Sequence, residues 1–389
     1  MDASIRRMAW ICAIGGICIS GGGTMVFPFL PLYLLDLGAT KDNVAMWTAL
    51  ASSCTFLVGA LVMPWWGALS DRVGRKRMIL RSAGCLALAY FIGSIVMTPL
   101  QLLGMRMFQG FSFGYFPISQ SLLAAVSGTH AAEAIGILMA GRSAGTVLGP
   151  FLGGALAHFT GMRMSFFLAA LGDMLTFLMI FFLIHEPKEA AVHRRVGIVE
   201  SFKSLSHNHA FLLILGLMVI NQAAILMIGP IIALHIAELT GSFERADLIS
   251  GIVVGGAGVA GMISAPFWGK FCVRAGVYHA IFWSFLGAGI FALAQFFAPG
   301  VWTFGLCQFC FGLFIVGGTT ALTGAVAEYI DPDMRGSAFG LLATAMNLGN
   351  FIGPLTGGLI AAAIHLDAVF YFAGLIQLAA AAWVWKKQL

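Results

Sequence analysis

Pro64-Trp-Trp-Gly67-Ala-Leu-Ser-Asp71-Arg72-Val-Gly74-Arg75-Lys76-Arg77 packs five charges and two glycines between two long apolar runs. We read it as a tight turn at a membrane surface. Four of the five charges are positive, and Lys and Arg within reach of apolar spans mark the cytoplasmic side. The turn therefore orients the runs that flank it.

The composition agrees. The chain has 389 residues, 60% of them hydrophobic and only 10% charged, with a mean hydropathy of +0.94. A soluble core wrapped in polar surface needs far more charge, so the class is an all-α polytopic membrane protein. The 49 glycines fit, because small residues let helices approach closely where lipid supplies no hydrophobic drive to pack. Ile5-Arg6-Arg7 leads straight into an apolar run without a small-residue cleavage site, so a retained first span is expected. The seven cysteines (Cys12, Cys18, Cys54, Cys85, Cys272, Cys307 and Cys310) fall almost entirely within apolar runs and read as small hydrophobes, with no disulfide framework.

Crossing the hydrocarbon takes about 20 helical residues. On that ruler the chain divides into twelve runs, near 8–35, 45–66, 78–97, 100–126, 134–158, 165–185, 209–238, 247–268, 279–298, 301–327, 337–363 and 369–385. Twelve spans return both termini to one side. With the termini cytoplasmic, the inner segments hold 16 Lys and Arg and the outer loops hold three, Lys41, Arg163 and Arg245. That bias follows the positive-inside rule, and the net charge of +5 is topological rather than the mark of an acidic partner. The long polar interval predicts an N-terminal six-helix bundle over 1–187, a cytoplasmic linker over 188–208 and a C-terminal six-helix bundle over 209–389.

The two halves repeat. Met25-Val-Phe-Pro28-Phe-Leu-Pro-Leu-Tyr33-Leu-Leu-Asp36-Leu aligns at an offset of 202 with Met227-Ile-Gly-Pro230-Ile-Ile-Ala-Leu-His235-Ile-Ala-Glu238-Leu, and Pro64-Trp-Trp-Gly67 with Pro266-Phe-Trp-Gly269. Gly145-x3-Gly149-Pro150-x2-Gly153-Gly154 matches Gly349-x3-Gly353-Pro354-x2-Gly357-Gly358 at an offset of 204. An even number of spans per half gives both copies the same orientation, related by an axis along the membrane normal.

Such a parallel pair of six-span bundles resembles the major facilitator superfamily, and the motifs make the resemblance specific. Gly67-x3-Asp71-Arg72-x-Gly74-Arg75-Lys76 is similar to the family's signature between spans 2 and 3. Arg106-x2-Gln109-Gly110-x3-Gly114 resembles its span-4 motif, and Gly136-x8-Gly145-x3-Gly149-Pro150-x2-Gly153-Gly154 its span-5 antiporter motif. The latter, with Pro28-x2-Pro31-x-Tyr33, resembles the twelve-span drug/proton antiporter branch.

The resemblance implies that Asp71 meets the positive N-terminal end of span 11, near Gly336-Ser337, clasping the cytoplasmic side with Arg72 and Arg75 in support. Val273 stands where a second such acid would be. Gly145, Gly149, Pro150, Gly353 and Pro354 would form hinge surfaces on which the bundles rock, although close packing alone also explains them.

An ionisable group inside a span is costly and marks function by default. Arg106, Arg142 and Asp173 qualify. The resemblance places spans 1, 4, 7 and 10 around a central cavity, so Arg106 is expected to face it, opposite its repeat mate Gln308. Thr24, Phe27, Tyr115, Asn221 and Gln222 join Arg106, Arg142 and Gln308 as candidate cavity residues. Asp173 is the candidate proton carrier, with Asp36 and Glu238 at the outer ends of spans 1 and 7 as alternatives.

The expected activity is secondary transport by alternating access across a bacterial cytoplasmic membrane. Efflux of an amphiphilic molecule in exchange for protons is the first reading, and carriage of an anionic metabolite or a polycarboxylate siderophore the second. A non-transporting sensor on the same fold is a third, disfavoured by the clasp and hinge residues. No metal-ligand cluster, nucleophile elbow or phosphate-cradling loop points to an enzyme. No cofactor is expected beyond the proton as coupling ion, no nucleic acid as partner, and no oligomer beyond the monomer.

Overall fold

The computed structural model describes residues 3–127, 130–184, 208–241, 246–330 and 335–388. Those residues form fifteen α-helices and no strand. In the first half they are α1 (Ala3–Val26), a 3-10 turn at Phe27–Phe29, α2 (Leu30–Asp36), α3 (Val44–Val73), α4 (Arg75–Ile95), α5 (Pro99–Phe111), α6 (Tyr115–Ser127), α7 (Ala131–Thr160) and α8 (Met162–Leu183). The second half holds α9 (His209–Ile228), α10 (Ile232–Thr240), α11 (Ala246–Ala275), α12 (Val277–Phe296), α13 (Val301–Tyr329), α14 (Arg335–Ala363) and α15 (Ala368–Gln388).

Among the described residues eleven stretches are long and apolar enough to cross a membrane. Large apolar side chains such as Leu61, Phe159 and Trp302 stand 72%, 77% and 74% exposed, a surface only lipid would cover. The twelfth expected span, near 100–126, is divided into α5 and α6, each too short to cross alone. The break runs from Ser112 to Gly114, whose φ of +135° suits glycine.

Orphaned carbonyls at that break find donors. Trp66 Nε1 and Arg81 Nη1 donate to the Phe111 carbonyl at 2.9 and 3.1 Å, and Arg81 Nη2 donates to that of Phe113 at 2.8 Å. The Arg81 guanidinium lies 3.9 Å over the Trp66 ring. In the second half Val316 occupies the place of Gly114, and α13 runs unbroken.

The expected turn at 67–77 shrinks to one residue. α3 continues to Val73, α4 starts at Arg75, and Gly74 alone stands between them with φ +103°. Nothing in Asp71-Arg72-Val73 breaks a helix, so the charges ride on helix ends. Gly276 repeats the device between α11 and α12 with φ +87°.

The chain forms two compact units. One comprises Met1–Ala39, Leu57–Arg194 and Asp247–Ile252; the other comprises Thr40–Phe56, Arg195–Ala246 and Val253–Leu389. The start of α3 thus belongs with the second unit and that of α11 with the first. The expected linker, 188–208, lies outside the described residues except for Asn208.

Within the first unit α1 lies along α7 and α8, and α4 along α8, around Ile79, Tyr115, Leu122 and Leu138. Within the second, α9 lies along α14, and α12 along α13 and α15, around Phe211, Met218, Phe285 and Leu322. The sequence repeat reappears as matched bonds. Trp66 Nε1 to the Phe111 carbonyl (2.9 Å) has its counterpart in Trp268 Nε1 to that of Leu313 (2.8 Å). Ser82 Oγ to the Ser112 carbonyl (2.7 Å) has its counterpart in Ser284 Oγ to that of Phe314 (2.8 Å).

Candidate functional site

Arg106 is 2% exposed on α5, and its Nη1 donates to Gln109 Oε1 at 2.7 Å. Residues three apart share a helix face, and Gln109 Nε2 donates in turn to the Tyr90 hydroxyl of α4 at 2.7 Å. The guanidinium is therefore enclosed within the first unit and turned toward α4. Burying a charge demands hydrogen bonds, and the nearest acceptor is one turn along its own helix. Asp173, on α8, is fully buried, and neither carboxylate oxygen has a hydrogen-bond partner among the described residues. Tyr90 lies within electrostatic reach of both Arg106 and Asp173.

Gln109 was named from the sequence only as part of the span-4 motif, and Tyr90 not at all. The signal for the first was the Arg-x-x-Gln spacing itself; for the second it was only a phenol in an apolar run. Arg106→Ala is expected to act on stability first, lowering the thermal midpoint of the purified protein through loss of a charged hydrogen bond, about 1.5–3 kcal/mol. A midpoint unchanged from wild type would take Arg106 out of the packing role.

Tyr115 is also turned inward. It is 2% exposed, and its hydroxyl donates to the Cys12 carbonyl at 2.8 Å, tying α6 to α1. Thr24 donates to the Ser20 carbonyl at 2.9 Å and reaches the Gly145 carbonyl at 3.3 Å. Phe27 is partly buried in the 3-10 turn.

Arg142 differs from all of these. It is exposed, its guanidinium lies 4.9 Å over the Phe116 ring of α6, and it has no carboxylate partner among the described residues. Ser20 Oγ donates to its backbone carbonyl at 2.8 Å, which places it where α7 meets α1. Of Arg106 and Arg142, the latter is the exposed one.

In the second unit Asn221 Nδ2 donates to Thr319 Oγ1 at 3.0 Å, joining α9 to α13, and Gln222 Nε2 donates to Asn350 Oδ1 at 3.2 Å, joining α9 to α14. Gln308 is 6% exposed with its Oε1 unpartnered among the described residues.

The residues expected at a cytoplasmic gate divide. Arg75 is buried, whereas the side chains of Asp71, Arg72 and the segment around Gly336-Ser337 lie outside the described residues. Asp36 ends α2 exposed, within electrostatic reach of Arg163, and Glu238 is exposed on α10.

The glycines named as hinges are close-approach positions. A Cβ on Gly145 would meet the Ile17 carbonyl of α1, one on Gly149 the Gly21 carbonyl, and one on Gly353 the Ala223 carbonyl of α9. Pro150 and Pro354 sit inside helices that continue through them.

Comparison with known proteins accords with this geometry. The family model described as Major Facilitator Superfamily matches residues 12–241 and again 214–388, once for each half. The multidrug resistance protein MdtG of Proteus mirabilis is 32% identical over 378 residues, covering 95% of this chain and 92% of its own length. The protein of the same name from Salmonella dublin is 32% identical over 389 residues, covering 98% and 95%. Among solved structures, that of the nucleoside transporter NupG superposes with a TM-score of 0.79 at 15% identity, covering 99% of this chain and 99% of that one, a likeness of fold. The chain belongs to the Major Facilitator Superfamily and is a membrane transporter, not an enzyme.

Proposed function

We propose that this chain exports small amphiphilic organic molecules in exchange for protons, by alternating access across a bacterial cytoplasmic membrane, with both termini inside. The observation that carries export is likeness to multidrug resistance proteins over nearly the whole chain. Coupling rests on Asp173. A carboxylate deep in a span is tolerated as an anion only when paired, and this one has no partner among the described residues. It is thus poised to take up and release a proton as its surroundings alternate, with Asp36 and Glu238 as secondary acceptors. Asp71, Arg72 and Arg75 form the cytoplasmic gate in this reading, and the glycine-proline stretches of α7 and α14 form the surfaces that slide.

The test is reconstitution into liposomes carrying an imposed pH gradient. Adding a permanently charged lipophilic dye is expected to dissipate the gradient as the dye moves. Dye movement that is indifferent to the gradient overturns proton coupling.

One observation favours a second reading, in which the cargo is anionic. The Arg142 guanidinium is exposed inside a span beside α1 and α6, and an arginine left to lipid is too costly to persist. An aqueous path is the setting that tolerates it, and there it attracts carboxylates. Arg142→Ala is then expected to weaken transport of a carboxylate substrate by about tenfold or more, the loss of one charged hydrogen bond. Transport of a cationic dye should be spared. Equal loss for both cargoes would assign Arg142 to packing.

A further inference from the structure

We propose a divalent transition-metal site in the second unit, built by His235, Glu238 and Asp367 where α10 ends and α15 begins. Each of the three offers one ligand atom within 4.8 Å of the others. His235 and Glu238 stand three apart on α10 and so share a face, and Asp367 immediately precedes α15.

The imidazole is the fixed element. It is 5% exposed and lies between the rings of Phe304 and Phe370, with centroids 4.9 and 5.0 Å away. Its Nδ1 stands 2.8 Å from Asp367 Oδ1, while its Nε2 has no hydrogen-bond partner among the described residues. A nitrogen–oxygen approach of 2.8 Å is a hydrogen-bonding distance, and a cation that enters displaces the shared proton, because imidazole and carboxylate ligate in their deprotonated forms.

The surroundings fit such a role. His365 Nδ1 lies 3.5 Å from the other carboxylate oxygen of Asp367, placed to support it as an outer-sphere partner or to complete the set. The Asp367 and His365 side chains are 33% and 63% exposed and Glu238 is exposed, so a cation has a route in. Imidazole with two carboxylates suits Zn²⁺, Co²⁺ or Ni²⁺. It disfavours Mg²⁺ and Ca²⁺, which take oxygen alone, and Cu⁺, which prefers sulfur. A bound cation would pin α10 to the chain ahead of α15, at the end that the proposed topology places outside the cytoplasm.

This specialisation belongs to the second half. Tyr33 holds the place of His235 in the first half and donates its hydroxyl to the Gly93 carbonyl at 2.8 Å, with Phe166 packed on its ring as Phe370 packs on His235.

The full-length protein, purified in detergent and stripped with chelator, is titrated with Co²⁺ and then Zn²⁺. Stoichiometric visible bands of nitrogen and oxygen ligation, displaced by Zn²⁺, are expected, and Zn²⁺ should raise the thermal midpoint because it binds the folded state. Glu238→Gln and Asp367→Asn, at side chains that reach the surface, should weaken metal binding by about tenfold or more while leaving the metal-free midpoint near wild type. His235→Ala should abolish it. Absence of a Co²⁺ spectrum overturns the proposal and leaves a histidine–aspartate pair. Binding unchanged by Glu238→Gln and Asp367→Asn, or bands of thiolate ligation, overturns it by placing the metal elsewhere.

Discussion

Gly149→Ala and Gly353→Ala are expected to lower the thermal midpoint of the purified protein, whereas Gly136→Ala and Gly340→Ala should leave it unchanged or raise it. All four substitutions add one methyl group to a helix, and alanine is the better helix former by about 1 kcal/mol. What separates them is the neighbour. At Gly149 and Gly353 the methyl would meet backbone carbonyls of α1 and α9, which cannot rotate away as a side chain can. At Gly136 and Gly340 nothing among the described residues lies within 4 Å. Overpacking against fixed atoms costs about 1–3 kcal/mol, which outweighs the gain in propensity. A midpoint at Gly149→Ala equal to that at Gly136→Ala would mean that α7 does not press on α1.

Much of the fold was legible in the sequence because its signals are local or periodic. Apolar runs of span length and the repeat offset required no tertiary knowledge, and the repeat returns as paired tryptophan and serine bonds in the two halves. Helix ends were harder to read. Asp71-Arg72-Val73 looks like a loop because it is charged, yet charge does not stop a helix, and only Gly74 does.

The candidate site was legible only as positions. That Arg106 lies within a span follows from counting, but the way it points depends on Gln109 and on Tyr90, a residue of another helix. The antiporter motif divides in the same way. Gly145 and Gly149 press on α1 while Gly136, part of the same pattern, faces open space. His235 and Asp367 meet across most of the second half, where no short-range spacing points to the encounter.

Asp173→Asn is expected to leave the protein folded while abolishing accumulation driven by a pH gradient. The Asp173 carboxyl is fully buried with both oxygens unpartnered among the described residues, and a buried carboxylate in that condition is tolerated as the neutral acid. Asparagine has nearly the shape of that acid and no charge, so the resting fold loses little. It cannot release a proton, however, so a cycle that depends on deprotonation stops. Substrate exchange down its own gradient should survive, because exchange without net proton movement needs no titrating group. If Asp173 were instead an anion paired with a buried cation, its neutralisation would strand that cation. The protein would then lose about 3–5 kcal/mol of stability, visible as a collapsed midpoint before any transport is measured. Thermal unfolding and exchange assays on the same preparation therefore separate a proton carrier from a structural anion, and full pH-driven accumulation by Asp173→Asn would move the coupling to Asp36 or Glu238.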